Sequence, residues 1–144
     1  MARVEASVVI NRPVEEVFAY VIDIDNWSQW MGFSGAEQTS EGPVGVGTTF
    51  KGVSEFMGRR DEWTSEVTEY EPNRKVGMDM IWGPMSMEET LTFESVEGGT
   101  RYTQVGEGET GGVFKVAGPI LNRMMKKQLE DSLGKLKQIL EAQA

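Results

Sequence analysis

The chain contains no cysteine and no histidine. Cysteine and histidine are the main zinc ligands, and histidine carries the proton in Ser-His-Asp triads and Cys-His dyads. Zinc sites, disulfide frameworks and both of these nucleophilic arrangements are therefore excluded. Any acid–base chemistry must come from a carboxylate, a tyrosine or a lysine. We expect no metal ion and no cofactor.

Long apolar runs are also missing. No stretch approaches the ~20 apolar residues of a membrane span, and no charged-then-apolar leader opens the chain. We therefore expect no integral membrane association, and a cytoplasmic location is the default. The 144 residues, 39% hydrophobic and 26% charged, fit one globular domain over residues 1–144, as a monomer or weak homodimer.

Positive charge is scarce, with 14 Lys and Arg against 23 Asp and Glu, a net charge of −9. Nucleic-acid binders usually present a basic face to offset phosphate charge, so we expect no nucleic-acid partner. The one basic cluster is Arg123, Lys126 and Lys127. We interpret it as a solvated helix face. The alternative is contact with an acidic protein or an anionic membrane surface.

Periodicity places strands and short helices in the first two thirds of the chain. Alternation predicts a strand over 3–10, and helical spacing predicts a helix over 13–22 that starts at Pro13. A second helical turn is predicted over 24–30, with Asp23 or Asp25 as its cap. Glycine, proline and asparagine then separate runs typical of an antiparallel meander. The predicted strands cover 33–40, 47–57, 60–70, 74–82, 85–95 and 99–108.

The tail, 112–144, is predicted to be helical, with a break at Gly118-Pro119 and a long helix that begins at Pro119. Its apolar residues recur every three or four positions, on one side of the helix. They are Leu121, Met125, Leu129, Leu133, Leu136 and Leu140. A helix of about 24 residues spans roughly 36 Å, enough to cross a sheet. The compact solution is an α+β fold in which an antiparallel sheet, closed at its far edge by the first strand, packs on this helix.

Four stretches carry a resemblance to a known family. They are VVINRPVEEVFAYVIDIDNWSQWM, VGVGTTF, VTEYEPNRKVGM and GGTRYT. Together, and in this order, they resemble the START/birch-pollen-allergen (SRPBCC) superfamily, in particular its polyketide cyclase/dehydrase-like branch. The resemblance implies a helix-grip fold: a curved sheet of about seven strands around the C-terminal helix, with two short helices after the first strand. It also implies a deep apolar cavity between sheet and helix.

Strand parity indicates which side chains would face that cavity, because successive side chains point to opposite faces. The stretch VGMDMIWGPMSMEETLTF places all four of its methionines on one face. The predicted ligand-binding residues are Trp30, Phe50, Phe56, Trp63, Met78, Met80, Trp82, Met87, Glu89, Leu91, Gln104, Leu121, Met124 and Met125. Taken singly, each is also explained by plain core packing, since methionine fills irregular gaps well.

Glu89 is the exception, because parity points a carboxylate into the apolar face. A buried carboxylate is unfavourable unless it is paired or protonated, and burial raises its pKa. Three explanations stay open: an ion pair, a position at the sheet edge in water, or contact with a ligand hydroxyl. The candidate ion-pair partners are Arg60, Arg101 and Arg123.

These observations favour binding or transport of a hydrophobic small molecule: a lipid, sterol, polyketide or aromatic compound. The alternative is a metal-independent polyketide aromatase/cyclase that folds a flexible substrate in the cavity. Glu89 and Tyr102 are then the candidate proton carriers. The resemblance transfers no catalytic residue to this chain, so turnover stays open.

Overall fold

The computed structural model describes residues 2–31, 33–56, 59–82, 85–109 and 112–143. Seven strands and three α-helices follow one another along the chain. They are β1 (Ala2–Ile10), α1 (Val14–Ile22), α2 (Trp27–Trp30), β2 (Phe33–Gln38), β3 (Thr49–Phe56), β4 (Arg59–Glu71), β5 (Lys75–Trp82), β6 (Met85–Val96), β7 (Gly99–Glu109) and α3 (Gly112–Ala142). Strand ends differ from the predicted ones by about two residues at most, the usual spread of such boundaries.

The strands form one curved antiparallel sheet in the order β1-β7-β6-β5-β4-β3-β2. Short turns join β4 to β5 and β6 to β7, and they place these consecutive strands side by side. Both turns need a positive φ, which Asn73 (63°) and Gly98 (88°) supply. The first strand closes the far edge by pairing with β7, with Val8 opposite Tyr102. The predicted α+β helix-grip fold is confirmed.

The short helices follow the local signals in the sequence. Pro13 immediately precedes α1, and two glutamates occupy its first turn, next to the positive end of the helix dipole. A 3₁₀ turn, Ile24–Asn26, leads into α2. Of the two predicted caps the structure selects Asp23, whose carboxylate accepts a hydrogen bond of 3.0 Å from the Asp25 backbone N–H.

The long helix α3 begins at Gly112 rather than at Pro119, so that prediction was wrong. Proline removes one N–H donor and disfavours a helix interior, but it does not forbid one. The predicted apolar stripe is present: Leu133, Leu136 and Leu140 are fully buried. None of the helices in the described ranges has the length and apolar content needed to cross a bilayer.

Polar contacts attach the C-terminal half of α3 to β1 and the residue after it. The Lys137 ammonium donates to the Val9 carbonyl at 2.7 Å and to the Glu141 carboxylate at 2.7 Å. Glu141 also accepts from the Asn11 backbone N–H at 3.0 Å. These two hydrogen bonds lower the pKa of Glu141, with Lys137 the larger cause. The helix is therefore held to the sheet at one end.

A close approach between β3 and β4 shapes the core. Gly52 lies opposite Trp63 in the strand register, and the indole covers the glycine. A methyl group on Gly52 would lie 2.5 Å from Cζ2 of Trp63 and 3.1 Å from Cα of Ala36. Trp63 in turn packs against Trp27, with ring centroids 6.1 Å apart. The indole therefore depends on residue 52 having no side chain.

We predict that Gly52→Ala lowers the free energy of unfolding by about 1–3 kcal/mol, because the added methyl overpacks the contact with Trp63. Urea unfolding followed by circular dichroism measures this change. Gly45→Ala is the matched control, since nothing lies within 4 Å of a methyl group there. It should change stability by no more than about 0.5 kcal/mol. Equal effects at the two glycines would contradict the prediction.

Candidate functional site

A partly open cavity of about 130 Å³ lies between the sheet and α3. Methionine and tryptophan dominate its walls, and a few polar groups interrupt them. The lining residues are Val4, Trp30, Met31, Ser54, Met80, Trp82, Met87, Glu89, Gln104, Gly106, Met125, Gln128, Leu129 and Ser132. A second cavity of about 30 Å³ shares Met31, Met80, Glu89 and Gln104 with the first. The two are therefore parts of one internal space.

The structure brings most of the predicted ligand-binding residues to this space. Seven line the larger cavity: Trp30, Met80, Trp82, Met87, Glu89, Gln104 and Met125. Three more, Trp63, Met78 and Leu91, line the smaller one. Their inward orientation is confirmed, whereas their contact with a ligand stays a prediction. The side chains of Phe56 and Leu121 lie outside the described residues.

Two predicted residues lie elsewhere. Phe50 is buried but belongs to the aromatic core, where its ring lies 5.0 Å from that of Trp27. Met124 is 40% exposed. One helical step turns a side chain by about 100°, so Met124 points away when Met125 faces the cavity. Sequence reasoning gave adjacent methionines the same role, which a helix does not allow.

Other lining residues were absent from the predicted set. Helical spacing from Met125 leads to Gln128, Leu129 and Ser132, and strand parity leads from Gln104 to Gly106. Both signals were available in the sequence. Met31, which follows α2, carries no such periodic signal. Its place in the wall depends on how the short helices pack.

Glu89 ends a chain of three polar side chains. The Tyr102 hydroxyl donates to Oε1 of Gln104 at 2.8 Å, and the Gln104 amide donates to Oε2 of Glu89 at 3.0 Å. Of the three explanations left open for Glu89, an ion pair with one of the candidate arginines is not found among the described residues. Arg101 pairs with Glu94, while Arg60 and Arg123 are exposed. Within the described ranges, Glu89 therefore has a neutral amide as its partner instead of a cation.

This setting changes the acidity of two groups. Burial raises the pKa of Glu89 to about 7, although the Gln104 hydrogen bond acts in the opposite direction. Burial also raises the pKa of Tyr102 well above its usual value, and the nearby Glu89 charge adds to that effect. Tyr102 therefore stays a neutral phenol, whose O–H donates the hydrogen bond to Gln104. Glu89, in contrast, changes charge near neutral pH.

Gly106 leaves space beside the Glu89 carboxyl group. The two residues are opposite each other in the β6–β7 register. A methyl group on Gly106 would lie 3.1 Å from Cε of Met87 and 3.5 Å from Oε1 of Glu89. The missing side chain therefore keeps room at Oε1, the oxygen that Gln104 does not use.

Two further polar groups in the walls lack partners. Trp30 is 2% exposed, and its indole Nε1 has no hydrogen-bond acceptor among the described residues. The same holds for the Ser65 hydroxyl, in the wall of the smaller cavity. Unsatisfied buried groups are unfavourable, and such groups at a cavity wall can bond a ligand.

As for metals, the described part of the chain holds no cluster of three or more acidic side chains able to bind an ion.

We predict a pH-dependent stability that Glu89→Gln removes. Burial raises the pKa of Glu89 from 4.5 to about 7, so the folded state binds this proton more tightly than the unfolded state does. The stabilisation is complete below about pH 4.5 and is lost as pH rises through 7. The wild type should lose about 3 kcal/mol relative to Glu89→Gln between these limits.

Urea unfolding across this pH range measures the difference. Glu88→Gln is the control, because Glu88 is exposed on the opposite face of the same strand and leaves Glu89 intact. It should keep the wild-type pH dependence. A Glu89→Gln protein with the same pH dependence as wild type would show that Glu89 does not titrate in this window.

Comparison with known proteins identifies the family. A family model described as polyketide cyclase / dehydrase and lipid transport matches residues 1–141. Among curated protein sequences, none matches the chain. Protein TTHA0849 from Thermus thermophilus is 22% identical, with a TM-score of 0.83 and 99% of each chain covered. Protein CV1439 from Chromobacterium violaceum is 18% identical, with a TM-score of 0.76 over 98% of this chain and 99% of its own.

A third structure is the di-domain ARO/CYC BexL from the BE-7585A biosynthetic pathway, at 18% identity and a TM-score of 0.77. It covers 98% of this chain, whereas this chain spans 47% of BexL. At these identities the structures show a shared fold alone. The family model covers nearly the whole chain and confirms the resemblance in its sequence. The chain therefore belongs to the polyketide cyclase/dehydrase and lipid transport family.

Proposed function

We propose that this protein binds a small, largely apolar molecule in the cavity between the sheet and α3. Ligand sites are usually concave and apolar, with a few polar groups that orient the ligand. This cavity has that composition. Methionine walls also adapt to ligands of different shape, because the side chain is flexible and polarizable.

The observation that carries the proposal is the position of Glu89. Its carboxyl group lies in an apolar wall without a cationic partner among the described residues, and its pKa is raised to about 7. Such a group destabilises the folded protein at neutral and higher pH. Core packing gives no reason to keep it, whereas strongly shifted groups in clefts are typical of functional sites.

The cavity volume favours a compact ligand. About 130 Å³ is close to the volume of an apolar cavity that admits one benzene ring. Of the candidate ligand classes, a one-ring aromatic compound suits this space best. Because the cavity is partly open, a longer molecule would place its remainder outside, along α3.

We predict that Gln128→Trp weakens binding of 2-phenylethanol, a neutral one-ring aromatic probe, by about tenfold or more, because the indole fills the cavity. Calorimetric titration measures the affinity. Lys127→Trp is the matched control: it adds the same side chain one position away, on the exposed face of α3. The control should bind as the wild type does. Equal affinity in both variants would place binding outside this cavity.

Glu89 also favours a second candidate function, the cyclisation or dehydration of a polyketide-like chain. An aldol closure takes a proton from a carbon between two carbonyls and returns one to the new hydroxyl oxygen. A carboxyl group with a pKa of about 7 can take and return that proton at neutral pH. Tyr102 would position the Glu89 carboxyl group through its hydrogen bond to Gln104, and would not itself transfer the proton.

If this second function holds, Glu89→Gln should lower turnover of a synthetic β-triketide thioester by about 100-fold or more, with little change in its affinity. Product formation followed by mass spectrometry measures the rate. Tyr102→Phe should lower the rate less and shift its pH dependence, because it releases Gln104. The control Glu88→Gln should keep the wild-type rate. If Glu89→Gln also keeps the wild-type rate, Glu89 does not carry the proton and this second function is refuted.

A further inference from the structure

The cavity contains a single ionisable group. Among the described residues that line its two parts, Glu89 is the only ionisable side chain, and the remaining walls are apolar or neutral polar. No lysine or arginine among them could balance an anionic ligand. A carboxylate or phosphate in this space would face a like charge without a counter-ion, which is strongly unfavourable in an apolar site. The net charge of −9 adds a field that attracts cations.

The hydrogen-bond chain has a direction that leads to the same conclusion. Tyr102 donates to the Gln104 carbonyl, and the Gln104 amide donates to Oε2 of Glu89. The chain therefore ends on an acceptor. No described residue donates to the other oxygen, Oε1, beside which Gly106 leaves space. A ligand that complements Oε1 must bring a donor.

The walls around this acceptor also suit a cation. Trp30 and Trp82 border the larger cavity, and four methionines supply much of its remaining apolar surface. Aromatic rings attract ammonium groups, and a charge-assisted bond to a carboxylate is stronger than a neutral one. An apolar ring and an ammonium group on one small molecule would use both features.

We propose that this cavity selects small aromatic or apolar molecules that carry a protonated amine, whose N–H donates to Oε1 of Glu89. The inference rests on the proposed function and names its ligand class. It also implies that Glu89 sets ligand specificity. Oε1 of Glu89 accepts a hydrogen bond from the ammonium group, while Gln104 holds Oε2 of the same carboxylate in place.

Binding of such a ligand is coupled to a proton. In the empty cavity Glu89 is about half protonated near pH 7, and a bound ammonium group favours the carboxylate. Tyr102 is the other titratable group near Glu89, and it stays neutral because its pKa is raised further. On α3, the lining residues Gln128 and Ser132 are not ionisable. An amine should therefore release about half a proton on binding at pH 7, and an alcohol none.

Three matched ligands test the inference: 2-phenylethylamine, 2-phenylethanol and phenylacetate, titrated calorimetrically at about pH 8, where Glu89 is ionised. We expect the amine to bind about tenfold or more tightly than the alcohol, and the acid most weakly. Repeating the amine titration at pH 7 in phosphate and in Tris, which differ in ionisation enthalpy, should show the proton release.

Glu89→Gln should bring the ratio of amine affinity to alcohol affinity to about one, whichever way the alcohol affinity itself moves, and Glu88→Gln should retain the wild-type ratio. If the alcohol or the acid binds as tightly as the amine, the inference is overturned and the proposed function survives. An amine preference that persists in Glu89→Gln also overturns it. If none of the three ligands binds, the proposed function itself fails.

Discussion

The structure depends on how α3 is attached to the sheet. Its C-terminal half buries Leu133, Leu136 and Leu140, and Lys137 bonds the Val9 carbonyl. Its preceding turns, from Met125 to Ser132, border the cavity instead. One helix therefore has two tasks. Close packing at one end holds it against the sheet, and looser contact nearer its middle leaves the space in which a ligand would lie.

Glu89 is a residue of the cavity wall that lowers the stability of the folded protein when it is charged. Its neighbours offer it one amide bond and no cation within the described ranges, so the cavity holds a group that titrates near neutral pH. Leucine at this position would pack without that penalty, as Leu91 does on the same face of the strand. Packing alone therefore does not explain the carboxyl group, whereas a bound ligand that contacts it would.

Membership of the family accounts for the fold and for the place of the cavity, since other chains share this architecture at 17–22% identity. It does not assign a ligand, because one fold supports many functions. The discriminating features here belong to the chain itself: an acidic acceptor, methionine and tryptophan walls, and no cationic side chain among the described lining residues. The proposed preference for an amine over fatty acids and other anions rests on these features.

Much of this could be predicted from the sequence, because local patterns report burial. Period-two alternation identified the inner face of β5 and β6 and pointed Glu89 inward, since a one-residue slip would expose that whole face. What the sequence could not show was the partner of Glu89. The β6–β7 register sets Leu91 opposite Gln104 and Glu89 opposite Gly106, so Gln104 reaches the carboxyl group diagonally. The sequence by itself determined which side chains of β5 and β6 face inward. Only the tertiary structure decided which of these side chains contact one another. The reason is that strand register and the position of α3 on the sheet depend on contacts between residues far apart in the chain.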